Sequence, residues 1–146
     1  MLEILYEDNH IIAVNKRSGD IVQADETGDK PLGDFVKDYI KEKYQKPGEV
    51  FLGVVHRIDR PVSGLVLLAK TPQDQTSINA QMENGLFYKT YLALIQKKDI
   101  SNAGHFKNYM IHDTQNNKAR IVESADIPGA KLAVLNYKPL IPMTCK

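Results

Sequence analysis

Cysteine is nearly absent from this 146-residue chain: the single one, Cys145, stands next to the last residue. One thiol closes no intrachain disulfide, so the fold must rest on a packed core, and the composition fits a reducing cytoplasm. Long apolar runs are missing too. A run such as Leu65–Ala69 is far short of the roughly 20 residues a helix needs to cross a bilayer. The opening, MLEILYEDNHII, lacks a basic segment followed by an apolar one, so no signal peptide and no membrane association are expected. Histidine is sparse, at positions 10, 56, 105 and 112, and none stands at a metal-ligand spacing from cysteine or carboxylate. No metal is expected. There is no internal repeat and no low-complexity tract. Apolar residues make up 42% and charged residues 25%, which is ordinary for a soluble globular chain long enough to bury one core.

Net charge is +1, but unevenly spread. Residues 1–50 carry 7 Lys+Arg against 11 Asp+Glu, and residues 51–146 carry 12 against 7. A basic second part can attract nucleic acid, yet an excess this small equally describes a solvated mixed-charge surface.

Local signals predict an α+β domain with a mixed, largely antiparallel sheet and flanking helices. ILYEDNHIIAVNK reads as two strands around a turn at Asp8-Asn9, and Lys16 and Arg17 after it read as solvated. Pro31 is placed at the first position of a helix with Leu32, Phe35, Val36, Tyr39 and Ile40 on one face, ended by Pro47-Gly48. VFLGVV and GLVLLAK read as strands buried on both faces. Thr71 and Asp74 form a T-x-x-D cap, with Pro72 at the first helical position and Gly85 as the stop. YKTYLALI, GHFKNYMIHD, KARIVES and GAKLAVLNYKPLI read as further strands, the middle two around the turn DTQNN, with nothing evident to pair with the last.

The stretch VVHRIDRPVSGLVLLAK places Asp59 between Arg57 and Arg60. Pro61 cannot donate a ladder hydrogen bond, so the preceding strand stops near Asp59 and a new one starts after Ser63-Gly64. A carboxylate in a short connection between two rigid strands can be held in one geometry, as catalysis requires. An ionised, oriented aspartate can then serve as nucleophile or base. On these residues alone a structural ion pair with a neighbouring arginine is the more ordinary reading.

HRIDRPVSGLVLLAK also resembles the signature H-R-L-D-x-x-T-S-G-L-L-L-x-A-K of the RluA-type RNA pseudouridine synthases, with identity at His56, Arg57, Asp59, Ser63, Gly64, Leu65, Leu67, Ala69 and Lys70. ILYEDNHIIAVNKRSGDIVQ is similar to that family's opening, YKTYLALI to its K-x-Y-x-A strand, and GAKLAVLNYKPL to the segment leading into its second half. The resemblance implies the amino-terminal portion of a synthase catalytic domain over residues 1–146, without a separate S4-like domain. It implies a monomeric cytoplasmic isomerase that converts uridines of rRNA or tRNA to pseudouridine with no cofactor. Asp59 would be the essential aspartate, attacking the target nucleotide or taking a proton from its ribose. Tyr91 would pack on the target base and assist loss of the C5 proton. Arg57 would fill the stack left by the flipped uridine. Arg60, on its charge and place beside Asp59 and not on the family's pattern, is expected to contact phosphate. His56 would be structural. Leu65 and Leu67 would be core residues beside Asp59.

The chain departs from the family at Arg17, where proline is usual, at Asp20, where an apolar residue is usual, and at Val62, where threonine is usual. The later motif G-R-x-H-Q-I-R is absent. Two expectations follow: an amino-terminal synthase portion that is inactive or very weak alone, or a non-catalytic RNA-binding or interaction module. A third class, an unrelated hydrolase with an aspartate nucleophile, lacks a second carboxylate motif.

Overall fold

The computed structural model describes residues 2–96, 102–114 and 118–140. Cys145, Lys97, Lys98 and residues 115–117 of the DTQNN turn lie outside them. Contacts divide the chain into two compact units, Met1–Thr90 and Tyr91–Lys146.

The first unit is built on strands β1 (Ile4–Glu7), β2 (Ile11–Lys16), β3 (Gly53–Val54) and β4 (Gly64–Ala69), with helices α1 (Leu32–Lys43) and α2 (Pro72–Glu83). The strands form one sheet in the order β1-β2-β4-β3, every pairing antiparallel. The β1–β2 turn forms because the Asp8 carboxylate accepts the N–H groups of His10 and Ile11 at 2.7 and 2.8 Å. At the centre, β2 and β4 pair from Ile11↔Ala69 to Lys16↔Gly64. That register sets Ile12 opposite Leu68 and Val14 opposite Val66, all four fully buried. They join Leu32, Val36 and Ile40 of α1 in one cluster with Val22 and Val50. Each such side chain contributes about 1.5–3 kcal/mol by leaving water.

The local signals hold where they depend on neighbours in sequence. Thr71 Oγ1 accepts the Asp74 N–H at 3.1 Å as N-cap of α2, and Pro72 is the first helical residue. In α1, Pro31 is the cap rather than the first turn, and the helix stops at Lys43, ahead of Pro47-Gly48. Its buried stripe is Leu32, Val36 and Ile40, at i+4 spacing, while Phe35 is exposed beneath the Lys30 ammonium, 4.7 Å from its ring centre. VFLGVV yields only the two residues of β3. In β4, Leu65 is 54% exposed and not core, so the strand is buried on both faces only toward Ala69.

The second unit holds β5 (Gly104–Asp113), β6 (Lys118–Val122) and β7 (Lys131–Tyr137), an antiparallel sheet in the order β6-β5-β7. The last strand therefore has a partner: β7 pairs with β5 from Gly104↔Tyr137 to Met110↔Lys131. Phe106 and Tyr137 stack at 5.0 Å. The architecture is the expected α+β, and among the described residues its strands form two antiparallel sheets. YKTYLALI forms no strand, and Tyr88, Leu92 and Leu94 in it are more than 80% exposed. Strand propensity is realised only against a neighbouring strand, and none lies alongside this run among the described residues.

Candidate active site

Asp59 lies in the connection from β3 to β4, and both ends of that connection are fixed. β3 is too short to reach Leu67, so the imidazole of His56 supplies the missing acceptor: its Nε2 takes the Leu67 N–H at 3.0 Å. A ring accepting at Nε2 carries its proton on Nδ1 when neutral. That Nδ1 is buried without a partner among the described residues. Burial, and then the charge of Lys89, holds the His56 pKa below its ordinary value, which keeps the accepting form. Phe87 flanks the ring, centroids 6.1 Å apart. The structural role implied for His56 is the one its geometry serves.

Further along, three consecutive carbonyls are held. That of Asp59 accepts the Val62 N–H at 3.0 Å, that of Arg60 accepts the Gly19 N–H at 2.9 Å, and that of Pro61 accepts the Ser18 hydroxyl at 2.9 Å. Gly19 makes its bond at φ +95°, a conformation open to glycine and strained for other residues. Lys16 completes the arrangement and is not the solvated residue its position suggests. It is fully buried, and its Nζ donates to the carbonyls of Arg17 at 3.1 Å, Asp20 at 2.7 Å and Arg60 at 3.1 Å. All three ammonium hydrogens are used. Burial pulls the Lys16 pKa down, and the charges of Asp20 and Asp59 pull against that. The sequence signal for this role is a lysine that ends an apolar strand just before a glycine-containing loop.

On this fixed backbone the Asp59 side chain is exposed. Among the described residues its carboxylate takes part in no hydrogen bond or ion pair. The Arg60 guanidinium turns instead to a loop in the first half of the chain, pairing with Asp29, donating to Thr27 Oγ1 at 3.2 Å and lying 3.9 Å from Asp25. The ion pair suggested by R-x-D-R is therefore made by Arg60, but with partners 31 to 35 residues away. Sequence reading missed those partners, since no local pattern links them. Arg57 is exposed, and its guanidinium has no partner among the described residues. Tyr91 belongs to the second unit, 57% exposed and outside any strand. Arg57, Asp59 and Arg60 thus share one connection, and Leu65, in the strand it leads into, is exposed. An open groove in the same unit, lined by Val22–Ala24, the start of α1 and Leu52, does not include Asp59. Among the described residues no three His, Cys, Asp or Glu side chains converge as a metal site, and no helix is long and apolar enough to cross a membrane.

Residues 10–141 match the family model described as RNA pseudouridylate synthase. The chain belongs to this family. A ribosomal large subunit pseudouridine synthase C of Rickettsia bellii is 32% identical over 143 residues, 97% of this chain and 44% of that protein. A tRNA pseudouridine synthase C of Pectobacterium carotovorum is 35% identical over 66% of this chain and 24% of its own length. The chain thus spans less than half the length of these relatives. The solved structure of human RNA Pseudouridylate Synthase Domain Containing 4 superposes on 93% of this chain with a TM-score of 0.63 at 17% identity, covering 52% of that structure. The α+β fold with antiparallel sheets is therefore shared with the synthases over about half their chain. The family signature of the RluA type falls on the connection that His56 and Lys16 hold in place.

Proposed function

We propose that this chain supplies the aspartate-bearing part of an RNA pseudouridine synthase acting on a uridine of rRNA or tRNA. The observation that carries the reading is the contrast at Asp59: three successive backbone carbonyls are hydrogen-bonded while the carboxylate itself is uncommitted and open to solvent. A structural aspartate is held by its side chain; a reactive one needs a fixed backbone and a free carboxylate.

The reaction is an isomerisation, so nothing is added or lost overall. The C1′–N1 bond breaks, C1′ bonds to C5 of the same uracil, the C5 proton leaves and N1 gains a proton. Asp59 assists the first step, either by attacking the nucleotide or by taking a proton from its ribose. Tyr91 packs on the base and helps remove the C5 proton. The target must leave its stack, costing a few kcal/mol. The planar guanidinium of Arg57 offsets part of that cost by stacking in the vacancy. Arg60 binds a phosphate of the strand.

The test is incubation with RNA carrying tritium at uridine C5. Tritium release that falls to background in Asp59→Ala supports the reading. Equal release from Asp59→Ala and the parent protein overturns it. A second reading, an RNA-binding module without catalysis, is favoured by Tyr91, the other residue given a part in the chemistry, which is 57% exposed and outside any strand. RNA binding with no release from either protein selects it.

A further inference from the structure

Arg60 has two ends in different circumstances. Its carbonyl is tied down by Lys16 and Gly19. Its guanidinium is 42% exposed and, among the described residues, held only by side chains of the loop 25–29, themselves exposed to a similar degree. The loop is organised for this contact. Asp25 accepts the Thr27 N–H at 2.9 Å and the Thr27 hydroxyl, and the Thr27 oxygen in turn accepts from Arg60. Two carboxylates, Asp25 and Asp29, thus face one guanidinium, leaving the cluster with an excess negative charge beside the Asp59 connection. Hydrogen bonds to the Thr27 N–H and hydroxyl, and then the charge of Arg60, lower the Asp25 pKa, so it is ionised here at neutral pH.

An exposed Arg–carboxylate pair adds little to stability, because solvent screens it and two side chains must be ordered. A phosphodiester competes for the same planar fork with oxygens in the same geometry. We propose that the Asp25–Asp29 loop is a built-in competitor for RNA phosphate at Arg60: it occupies the guanidinium in the free protein and is displaced when the backbone of a bound strand docks beside Asp59. This rests on the RNA-binding reading above and adds to it a threshold. Strands whose phosphates fit Arg60 displace the loop, while weakly placed strands meet two carboxylates.

The experiment compares binding of a short fluorescent single-stranded oligouridylate to the parent chain, to Asp25→Asn/Asp29→Asn, to Arg60→Gln and to the triple variant, at one fixed moderate salt concentration. Asp34→Asn/Asp38→Asn removes the same charge from α1, where the two side chains are 49% and 67% exposed and each pairs with a lysine, and is the control for charge alone. The competitor model expects Asp25→Asn/Asp29→Asn to bind about three- to ten-fold more tightly than the parent, a gain larger than the control's. It expects most of that gain to vanish in the Arg60→Gln background. Weaker binding by Asp25→Asn/Asp29→Asn would show that the loop positions Arg60 rather than opposing the strand, and would overturn the proposal. So would a gain equal to the control's, or one that persists without Arg60. If the parent and every variant fail to bind, the RNA-binding reading fails first, and the proposal with it. Thermal melts of each variant establish that the fold is intact.

Discussion

The buried ammonium of Lys16 lies 3.1 Å from the carbonyl of Arg60, the residue directly after Asp59. A lysine charge taken out of water is costly unless its hydrogens are matched, and here three carbonyls match them, with no carboxylate in contact among the described residues. The arrangement joins the loop after β2 to the connection before β4. It also brings a positive charge near enough to interact with Asp59 while leaving the carboxylate unoccupied among the described residues.

Lys16→Met keeps the aliphatic stem and removes the three donors. The carbonyls of Arg17 and Asp20 then lose the Lys16 bond, while that of Arg60 retains the Gly19 N–H. The expected loss is about 1–3 kcal/mol in a urea titration. Amide exchange at Gly19 should rise more than exchange at Val14, since the loosening is centred on the stitched loops. Lys16→Arg should not restore stability, because a planar fork does not fit a site built for a tetrahedral ammonium.

His56 gives a pH dependence of definite sign. Its pKa is lowered in the fold, by burial first and by Lys89 second. Between that lowered value and the unfolded value of about 6.5, the unfolded chain binds the proton and the folded one does not. Stability contributed by the neutral ring is therefore fully present above about pH 6.5 and declines as pH falls below it. Protonation would also replace the Nε2 acceptor with a donor facing the Leu67 N–H. His56→Gln keeps an acceptor in reach and should flatten this part of the stability–pH curve. A curve unchanged by the substitution would show that the decline originates elsewhere.

Legibility in the sequence followed the range of the interaction. The Thr71-Pro72-Asp74 helix start and the Asp8 turn were readable because each is complete within four residues. The stripe Leu32, Val36 and Ile40 was readable because helix spacing alone aligns it. The Asp59 connection could be located by Pro61 and Gly64, but not its support. Lys16 meets Arg60 across 44 positions, and Arg60 meets Asp29 across 31. Neither pairing has a local pattern, so Lys16 looked solvated and Arg60 looked like a partner for its neighbour. YKTYLALI failed in the opposite way: its composition suits a strand, but composition does not supply the strand beside it.

Two glycines should separate backbone strain from crowding. Gly64, where β4 begins, has φ +136°, and a methyl added there would meet no atom within 4 Å. Gly64→Ala should therefore cost about 1–3 kcal/mol through backbone strain alone. Gly53 has an ordinary backbone, but a methyl there would stand 2.7 Å from Gln75 Cδ, whose amide donates to the Val54 carbonyl at 3.2 Å. The Gln75 Cδ and Oε1 can swing away, but its Cβ, 3.0 Å from the added methyl, cannot, so Gly53→Ala should cost about 1–3 kcal/mol and Gln75→Ala in the same chain should relieve only the part due to the outer side chain. Relief of Gly64→Ala by that second substitution would contradict the assignment.

Glu7 sets the acid limit of the first unit. Its side chain is 7% exposed and accepts from Lys43 and Lys70, each at 2.8 Å, and from Tyr44 and Tyr39 at 2.8 and 3.0 Å. Burial alone would push its pKa up, but the four hydrogen bonds together outweigh that and bring it down to about 2 from the ordinary 4.5. A carboxyl with a depressed pKa stabilises the fold above its unfolded value and ceases to do so as pH falls through the folded one. The Glu7 contribution should therefore be complete above about pH 4.5, decline between there and about pH 2, and amount to roughly 2–3 kcal/mol. Glu7→Gln removes the charge and leaves Lys70, itself 10% exposed, without its carboxylate. The variant should be less stable than the parent at neutral pH, and the difference should narrow steadily on acidification below pH 4.5. Parallel urea titrations of the two proteins across that range measure it, and a gap that stays constant would rule out Glu7 ionisation as its source.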